Sequence, residues 1–584
     1  MLRHQLRFFF ASSEHSPPPT RNTKALDRFS YLRTNKITLR MDTLRDLPLY
    51  FQDFEDLRRK NYFYVDKTQY LAQLVTRYKD FFLSRPHRFG KSLFLSTLRA
   101  YFEGKKELFE GLYIHQAEEA IARRQNREPW MVSPVFYLEL NAEYFSSLEV
   151  LENCLETHLA AWEAIYGSNG VAKTPAGRFR AVIERAYLQE GKQVVILIDE
   201  YDKPLLETVN DEALNDANRS LLKAFYEVLK QCDRYIRFAF LTGITKFSKT
   251  NLFSGVNNLI DITLQEEYTA ICGFTETELD LFAPEIEQLA AANQMTVEQT
   301  HGKLRKMYDG YRFSRKEERV YNPFSLLRVL ADRRYNYFWF ESATPSYLVN
   351  YLKRTQVFMP ELESDLLLDA SEIQDFRYND DDSLIPLLFQ SGYLTIKDYL
   401  PEAGLYQLGY PNEEVRFGFL QELLPLYVNI RRNSIRSTVL KLYSALHDGD
   451  LAAAMKQISE ILAGIIYGNI PASEEGRPLR EQYYQSVLYA VFRLLGLHAQ
   501  AEVVCATGRI DMLVITLKHV YIFEFKVNPQ GTAQDAIDQI REREYFRSVS
   551  AERRPLHLVG VSFDEKTRNI REWKEELLTP DGRE

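Results

Sequence analysis

The sequence is poor in cysteine. Its 584 residues include four cysteines, and no two of them form a Cys-x-x-Cys pair. This pattern gives no support for a zinc site built on paired cysteines or for a disulfide framework. A chain of this kind fits a reducing compartment, so we predict a cytoplasmic protein.

Long apolar runs are also absent. No stretch of the sequence approaches the roughly 20 apolar residues that a membrane-spanning helix needs, so we predict no membrane association. The 25 glycines and 22 prolines are too few for a fibrous or low-complexity chain. With 45% hydrophobic and 26% charged residues, the composition is typical of a folded protein of several domains.

Excess positive charge is the third feature that is lacking. The 73 Lys and Arg residues are outnumbered by 81 Asp and Glu residues, which gives a formal net charge of −8. Long-range electrostatics therefore do not favour a protein that coats nucleic acid. An enzyme with one local basic groove remains compatible with this charge.

The first 40 residues differ from the remainder. They are rich in Lys and Arg, contain only Glu14 and Asp27 as acidic residues, and include Pro17-Pro18-Pro19. We predict a disordered basic tail at 1–40, with Met41 as the natural start of translation. The alternative is an organellar transit peptide, which the Arg- and Ser-containing composition resembles weakly.

Short apolar segments alternate with longer helical patterns between residues 41 and 265. The predicted strands are residues 62–65, 80–83, 135–140, 194–198 and 236–241. Alternation of this kind is typical of a parallel sheet covered by helices. We therefore predict an α/β domain over 41–265.

The rest of the chain divides into two regions. Residues 266–475 have mainly helical periodicity, for example at 276–289 and 438–462, and are predicted to form a helical lid and connecting region. From residue 476 onward, helices predicted at 480–495 and 532–548 accompany strands at 501–507, 510–516, 520–527 and 556–561. Residues 476–584 are therefore predicted to form a second α/β domain.

A phosphate-binding motif lies between the predicted strand 80–83 and the helix that follows it. Gly90-Lys91-Ser92 forms the end of a P-loop pattern, although the full pattern has glycine where Arg85 stands. Glycine lets backbone amides approach phosphates, lysine reaches the outer phosphates, and the serine hydroxyl can ligate Mg²⁺.

Two carboxylates follow the apolar strand 194–198. Ligands bind at the carboxyl ends of strands in such sheets, so we predict that Asp199 holds Mg²⁺ and Glu200 polarises the attacking water. Thr242, after strand 236–241, is predicted to sense the terminal phosphate. The alternatives are that the carboxylates cap the next helix and that Thr242 is an ordinary turn residue.

A second acid–lysine group lies near the carboxyl terminus. Glu524 and Lys526 share one face of a predicted strand, and Asp511 lies on the preceding strand. Two carboxylates beside a lysine can hold Mg²⁺ and position water for attack on a phosphodiester, with Lys526 supporting the transition state. The alternative is a surface ion pair worth less than about 1 kcal/mol.

Arginines are concentrated just after this group. They are Arg541, Arg543, Arg547, Arg553 and Arg554. They are predicted either to make a local basic groove for nucleic acid or to form a solvated face paired with Glu542 and Glu544.

The N-terminal motifs resemble those of the bacterial AAA-ATPase-like family of P-loop proteins. The matching segments are Tyr64-Val65-Asp66-Lys67-Thr68, Arg85-Pro86-His87-Arg88-Phe89-Gly90-Lys91-Ser92, Asp199-Glu200-Tyr201-Asp202, Phe253-Ser254-Gly255-Val256-Asn257-Asn258-Leu259 and Tyr308-Asp309-Gly310-Tyr311-Arg312-Phe313. The resemblance covers about 47–324 and implies an ATP-binding P-loop NTPase domain. It also implies that Arg85, Arg88 and Phe89 belong to the nucleotide-binding loop together with Gly90, Lys91 and Ser92.

The C-terminal motifs resemble the PD-(D/E)XK nuclease superfamily over about 481–561. The resemblance implies a restriction-endonuclease-like α/β domain in which Asp511 and Glu524 are metal ligands and Lys526 is catalytic. It further implies that Glu481 is an auxiliary acid and that Gln539 and Tyr545 lie near the substrate.

Together these patterns predict an ATP-binding, ATP-hydrolysing protein coupled to a Mg²⁺-dependent nuclease domain that acts on nucleic acid, specifically DNA. The alternative is a nucleotide-controlled switch whose C-terminal domain only binds nucleic acid or a protein partner. No arginine finger can be identified in the sequence, so a homo-oligomer is left open.

Overall fold

The computed structural model describes residues 46–578, except 142–143, 169, 247–251, 253–257, 340–347, 349–351, 353–365, 375–383, 428–431, 465–476, 495–496, 506, 530, 550–551 and 565. The predicted tail at 1–40, the predicted start at Met41 and residues 253–257 of the family motif lie outside the described residues. Within the described ranges, no helix has the length and apolarity that crossing a membrane requires.

Five parallel strands form the N-terminal sheet. They are β1 (Asp80–Ser84), β2 (Val135–Glu139), β3 (Val194–Asp199), β4 (Ile236–Gly243) and β5 (Ile260–Asp261). The order β2-β3-β4-β1-β5 places β4 between the strand before the phosphate loop and the strand that ends in the acidic pair. The carboxyl ends of these three strands therefore meet at one edge, where ligands of α/β sheets bind.

Eight α-helices accompany this sheet in the described residues. They are α1 (Phe54–Arg59), α2 (Thr68–Arg77), α3 (Lys91–Phe102), α4 (Tyr113–Arg124), α5 (Leu148–Tyr166), α6 (Pro175–Glu190), α7 (Lys203–Glu207) and α8 (Glu212–Gln231). The predicted α/β architecture is confirmed. The strand predicted at 62–65 is wrong, because this segment has no sheet partner.

The middle region combines helices with two small sheets. Its helices are α9 (Ala283–Ala292), α10 (Val297–Tyr308), α11 (Pro323–Asp332), α12 (Ala370–Gln374), α13 (Leu384–Gln390), α14 (Glu413–Tyr427), α15 (Arg432–Asp448) and α16 (Leu451–Leu462). Its strands are β6 (Phe274–Thr275) paired with β7 (Val320–Tyr321), and β8 (Leu366–Leu368), β9 (Thr395–Leu400) and β10 (Leu405–Gly409) in the order β8-β10-β9. The sequence predicted few strands here.

The C-terminal domain is a mixed sheet between helices. Its elements are α17 (Arg477–Leu494), β11 (His498–Cys505), β12 (Gly508–Ile515), β13 (Val520–Asn528), α18 (Ala533–Glu542), β14 (Leu556–Asp564) and β15 (Asn569–Leu578). The strands lie in chain order, and only β13 and β14 pair in parallel, joined by α18.

Strand β13 is buried on both faces. Phe523 packs against Phe492 of α17, with ring centroids 5.6 Å apart. Ile522, one residue earlier, belongs to the same apolar cluster as Ile537 and Ile540 of α18. Because side chains alternate along a strand, α17 and α18 cover opposite faces of the sheet.

The middle region contacts the C-terminal domain directly. The Tyr521 hydroxyl on β13 donates a hydrogen bond of 2.6 Å to the carbonyl of Leu446 on α15. Ser459 on α16 lies 2.9 Å from the side-chain oxygen of Asn569, and α14 packs against α17. The second α/β domain is therefore held against the connecting region by three of its elements.

Gly310 makes the closest backbone approach in the middle region. Its φ is +103°, and a Cβ built on it would lie 2.2 Å from the carbonyl oxygen of Pro411. We expect Gly310→Ala to destabilise the protein by about 2 kcal/mol or more, because both the left-handed backbone and the overlap oppose a side chain. Thermal or urea unfolding measures this. Gly302→Ala, in α10 where the corresponding space is open, should leave the midpoint unchanged or raise it.

Candidate functional site

The phosphate loop connects β1 to α3. Gly90 precedes the first residue of α3 with φ 91°, and a Cβ at this position would meet no atom within 4 Å. The N–H of Phe94 donates to the Gly90 carbonyl at 3.0 Å, so the helix starts directly from the loop. The unpaired amides of the first helical turn therefore face the loop, which favours an anion there.

Lys91 lies inside the curve of this loop. Its side chain is 6% exposed, and its ammonium donates to the carbonyls of Arg85 at 3.0 Å and Pro86 at 3.1 Å. The Lys91 ammonium thus links the end of the loop to its beginning. This is the position from which a lysine can reach the outer phosphates of a nucleotide.

Arg85, a predicted nucleotide ligand, points into the protein interior instead. Its guanidinium is buried, lies 4.2 Å from the ring of Phe313, and donates to the carbonyls of Ser84 and Thr263 at 2.9 Å and Tyr268 at 3.0 Å. Burial lowers the pKa of Arg85 to about 10. The Arg85 guanidinium therefore supports the loop from the protein interior, and we do not propose it as a nucleotide ligand.

The acidic pair lies at the carboxyl end of β3. Asp199 is 1% exposed, accepts the Glu200 N–H at 3.0 Å and is hydrogen-bonded to the Ser92 hydroxyl. Burial raises the pKa of Asp199 to about 6, while the Ser92 hydrogen bond opposes this rise. A hydroxyl and a carboxylate in contact offer two of the oxygen donors that Mg²⁺ prefers, so the residues fit the expected cation.

Thr242 lies on β4 beside this pair. Leu241 is the register partner of Ile198, so the next residues, Thr242 and Asp199, are neighbours on adjacent strands. The Thr242 hydroxyl is buried and has no hydrogen-bond partner within the described residues. A buried hydroxyl without a partner at the edge of the site agrees with a role towards a bound group, which stays a prediction.

Asp202 shapes the segment after β4. It accepts hydrogen bonds from the N–H and hydroxyl of Thr245 at 2.6 Å and 2.7 Å. A Cβ at Gly243 would lie 2.3 Å from the Asp202 carboxylate, so only glycine fits there. Sequence reasoning assigned no role to Asp202, although the residue belongs to the acidic family motif.

A cavity of about 470 Å³ adjoins the loop. Its polar lining includes Lys91, Ser92, Glu200, Lys203 and Arg88, and Phe89 lines it as well. Its apolar and aromatic lining includes Leu49, Tyr50, Phe51, Phe63, Tyr64, Phe274, Phe324 and Leu327. Polar groups for phosphates and aromatic rings for a base suit a nucleotide in both size and chemistry.

The second acid–lysine group is assembled between β12, β13 and α18. The Asp511 carboxylate accepts the N–H of Phe525 at 2.7 Å, just beyond the last paired residues of the two strands. Glu524 is 1% exposed and accepts hydrogen bonds from Lys526 at 3.1 Å and from Gln539. The structure therefore brings Glu524, Lys526 and Gln539 into direct contact.

Tyr545 is influenced by both carboxylates, Asp511 and Glu524. Its hydroxyl lies 3.4 Å from Gln539, and its pKa is raised by burial and then by the charges of Glu524 and Asp511. Mg²⁺ commonly binds through one or two carboxylates, completing its shell with water and substrate phosphate, so this donor set fits the cation. Among the described residues no cluster of three or more His, Cys, Asp or Glu forms a metal site. The side chain of Glu481 lies outside the description.

Gln485 is a site residue that sequence reasoning missed. Its amide on α17 donates to the Asp511 carbonyl at 2.6 Å and to the Glu502 carboxylate at 3.1 Å. The available signal was its spacing, because Gln485 follows Glu481 by one helical turn and shares its face. Gln485 therefore joins α17 to the strand that carries a predicted metal ligand.

The arginines after Gln539 are mostly paired with acids. Arg541 contacts Glu576 at 2.5 Å, Arg547 contacts Glu544 at 2.7 Å, and Arg554 contacts Glu552. This favours the solvated, paired face over a groove made by all five. Arg543 donates to the carbonyl of Thr507 at 3.1 Å. The next residue, Gly508, packs against Tyr545, because a Cβ built on Gly508 would lie 2.9 Å from the Tyr545 hydroxyl.

Comparison with known proteins identifies both ends of the chain. The family model described as "Predicted AAA-ATPase" matches residues 48–253, and the model of the PD-(D/E)XK nuclease superfamily matches residues 479–573. A relative from Azotobacter chroococcum mcd 1, "Uncharacterized protein in vnfD 5'region", is 36% identical over 537 residues, covering 90% of this chain and 98% of the relative. A similar solved structure is "Structure of the Aeropyrum Pernix ORC2 protein (ADPNP-ADP complexes)", which is 12% identical to this chain. The match covers 64% of this chain and 93% of the ORC2 chain, and its TM-score of 0.21 supports no conclusion.

The buried carboxylate of Asp199 has a measurable consequence. Burial raises the folded-state pKa of Asp199 to about 6, so the folded protein holds this proton more tightly than the unfolded chain does. The free energy of unfolding is therefore highest below about pH 4 and decreases as the pH rises through 6, because the buried carboxylate becomes charged. Asp199→Asn should therefore raise the free energy of unfolding of the nucleotide-free protein by about 1–3 kcal/mol at pH 8, and this gain should vanish near pH 4. Unfolding curves at both pH values check this, and an equal gain at both would contradict it.

Proposed function

Because the chain belongs to the predicted AAA-ATPase family and ends in a PD-(D/E)XK nuclease superfamily domain, we propose that it is an ATP-hydrolysing protein that controls a Mg²⁺-dependent nuclease acting on DNA. The observation that carries the proposal is the assembly of both acid–lysine groups. Lys91, Ser92 and Glu200 line one cavity, and Glu524 contacts Lys526 near Asp511.

In the nucleotide site, Lys91 neutralises the outer phosphates and the amides at the start of α3 bind their oxygens. Ser92 and Asp199 would hold Mg²⁺, which when bound offsets phosphate charge. Glu200 orients a water whose oxygen bonds to the terminal phosphorus, while the bond from that phosphorus to the bridging oxygen breaks. ADP and phosphate leave, and Glu200 accepts the proton of the water.

In the C-terminal site, Asp511 and Glu524 would hold Mg²⁺, which when bound supplies positive charge to the phosphodiester. Lys526 orients the attacking water and stabilises the negative charge that develops on the phosphate oxygens. Gln539 fixes the Glu524 carboxylate, and Tyr545 contacts Gln539. Attack forms a new oxygen–phosphorus bond and breaks the bond from phosphorus to one sugar oxygen. The attacking water loses a proton to solvent, and the released sugar oxygen takes one up from solvent.

We further propose the division of the chain at 41–265, 266–475 and 476–584. The two family matches, 48–253 and 479–573, lie inside the outer units. The connecting region between them touches the phosphate loop and the nuclease domain, as Trp339 and Ser459 show. DNA is proposed as the partner of the third unit.

The nucleotide site is tested by two substitutions with different outcomes. Lys91→Ala should abolish ATP binding, because it removes the cation at the loop. Glu200→Gln should retain ATP binding while turnover falls by about 10²-fold or more, because only the orientation of water is lost. ATP affinity and phosphate release, measured on the same preparations, check both expectations.

A wild-type protein that binds ATP without phosphate release would contradict the hydrolysis proposal and favour a nucleotide-controlled switch. A wild-type protein that binds no ATP would contradict the proposal for this end altogether.

The nuclease site is tested by Glu524→Gln and Lys526→Ala. Each should lower Mg²⁺-dependent DNA cleavage by about 10²-fold or more, because Glu524→Gln removes a charged ligand of the proposed Mg²⁺ and Lys526→Ala removes the cation that stabilises charge on the reacting phosphate. Lys518→Ala is the matched control: Lys518 lies on the β12–β13 hairpin and faces Asp448 at 3.4 Å. Cleavage equal in all four proteins, or absent from the wild type on both single- and double-stranded substrates, would refute the proposal.

A further inference from the structure

Lys203 lines the cavity beside the phosphate loop. It is the first residue of α7, three positions after Glu200, and both line the cavity together with Lys91. Its ammonium donates to the carbonyl oxygen of Asn141 at 2.8 Å and lies 3.3 Å from the Asn141 side-chain oxygen. Glu207 is its carboxylate neighbour, at 3.7 Å.

Lys203 shares the cavity with three residues of the phosphate loop. His87, Arg88 and Lys91 line it together with Lys203. The pKa of His87 is lowered to about 3, first by burial and then by the positive charges of Lys91, Arg88 and Lys203. The charge of Lys203 therefore acts on the loop as well as on its own helix.

The charge balance of the cavity calls for such a cation. In the proposed mode of binding the terminal phosphate lies beside Glu200, and the Mg²⁺ that Ser92 and Asp199 would hold offsets only part of the negative charge there. Lys91 approaches from the loop and already serves the outer phosphates. A second cation on the side of Glu200 would offset the remaining negative charge, and the flexible four-carbon stem of a lysine permits the movement.

We propose that Lys203 binds the terminal phosphate of a nucleoside triphosphate and so makes the site discriminate triphosphate from diphosphate. The inference rests on the proposed function, because it assumes that the cavity binds ATP. The cation comes from the same chain as the loop. The competing role for Lys203 is purely structural, as a link between Asn141 and α7.

The experiment compares ATP and ADP binding to the full-length protein by titration calorimetry in the presence of Mg²⁺. Lys203→Gln should weaken ATP binding about tenfold or more while ADP binding changes less than about twofold, because only ATP carries the phosphate that loses a charged donor. Lys203→Arg should keep most of the preference for ATP.

Glu207→Gln is the matched control. Its amide oxygen can still accept the N–H of Phe145, which the Glu207 carboxylate accepts at 2.8 Å. The substitution removes only the charge beside Lys203, so ATP affinity should be equal to that of the wild type or higher. A loss of ATP affinity in Glu207→Gln similar to that in Lys203→Gln would identify a structural ion pair and overturn the proposal.

The remaining outcomes separate the two claims. Equal weakening of ATP and ADP by Lys203→Gln, or no weakening of either, overturns the role of Lys203 and leaves the proposed function standing. A lower unfolding midpoint of nucleotide-free Lys203→Gln with an unchanged ATP-to-ADP ratio does the same. A wild-type protein that binds neither nucleotide refutes the proposed function, and the role of Lys203 with it.

Discussion

The nucleotide site depends on packing behind the phosphate loop. Gly392, with φ 91°, lies so close to the loop that a Cβ on it would be 2.6 Å from the Cβ of Pro86. The ring of Phe89 is 4.8 Å from that of Tyr311 and 5.4 Å from that of Phe313, and the buried Arg85 guanidinium lies over Phe313. A loop with arginine in place of its first glycine is thus shaped from outside by the connecting region. These contacts also fix the position of the Lys91 ammonium, because it is hydrogen-bonded to the loop carbonyls of Arg85 and Pro86.

The same packing continues towards the nuclease domain. Trp339 donates its ring N–H to the His87 carbonyl, and its ring meets that of Tyr393 edge to face with centroids 5.0 Å apart. The Tyr393 ring lies 4.9 Å from that of Phe419 on α14. Helix α14 packs against α17, and Gln485 of α17 donates to the Asp511 carbonyl. Through α14 and α17 these contacts lead from the phosphate loop to the backbone of Asp511. Energetic coupling along them requires that α14 or α17 have two arrangements, each favoured by a different state of the loop.

Sequence reasoning was strongest where one local pattern decides the structure. The buried runs that end at Ser84 and Asp199 are confirmed as strands of one parallel sheet, with β4 between them, because apolar strands between helices have few other solutions. The predicted helix 438–462 is interrupted by Gly449 with φ 78°, a break that periodicity alone does not show. The direction of Arg85 and the role of Gln485 depend on distant partners, so no local pattern could indicate them. The strands β8 to β10 are short, and β9 is largely exposed, so their apolar signal is weak.

The two sites solve one electrostatic problem in the same way. Asp199 and Glu524 are each 1% exposed, and a carboxylate so poorly hydrated is unfavourable in its charged form. Each is oriented by hydrogen-bond donors, Ser92 for Asp199, and Gln539 with Lys526 for Glu524. Donors of this kind hold the geometry but compensate only part of the lost hydration. A divalent cation supplies the missing charge most effectively in such a dry position, because attraction between opposite charges grows as the surroundings become less polar. Burial of the acids, which weakens the free protein, is therefore the feature on which the proposed Mg²⁺ sites depend.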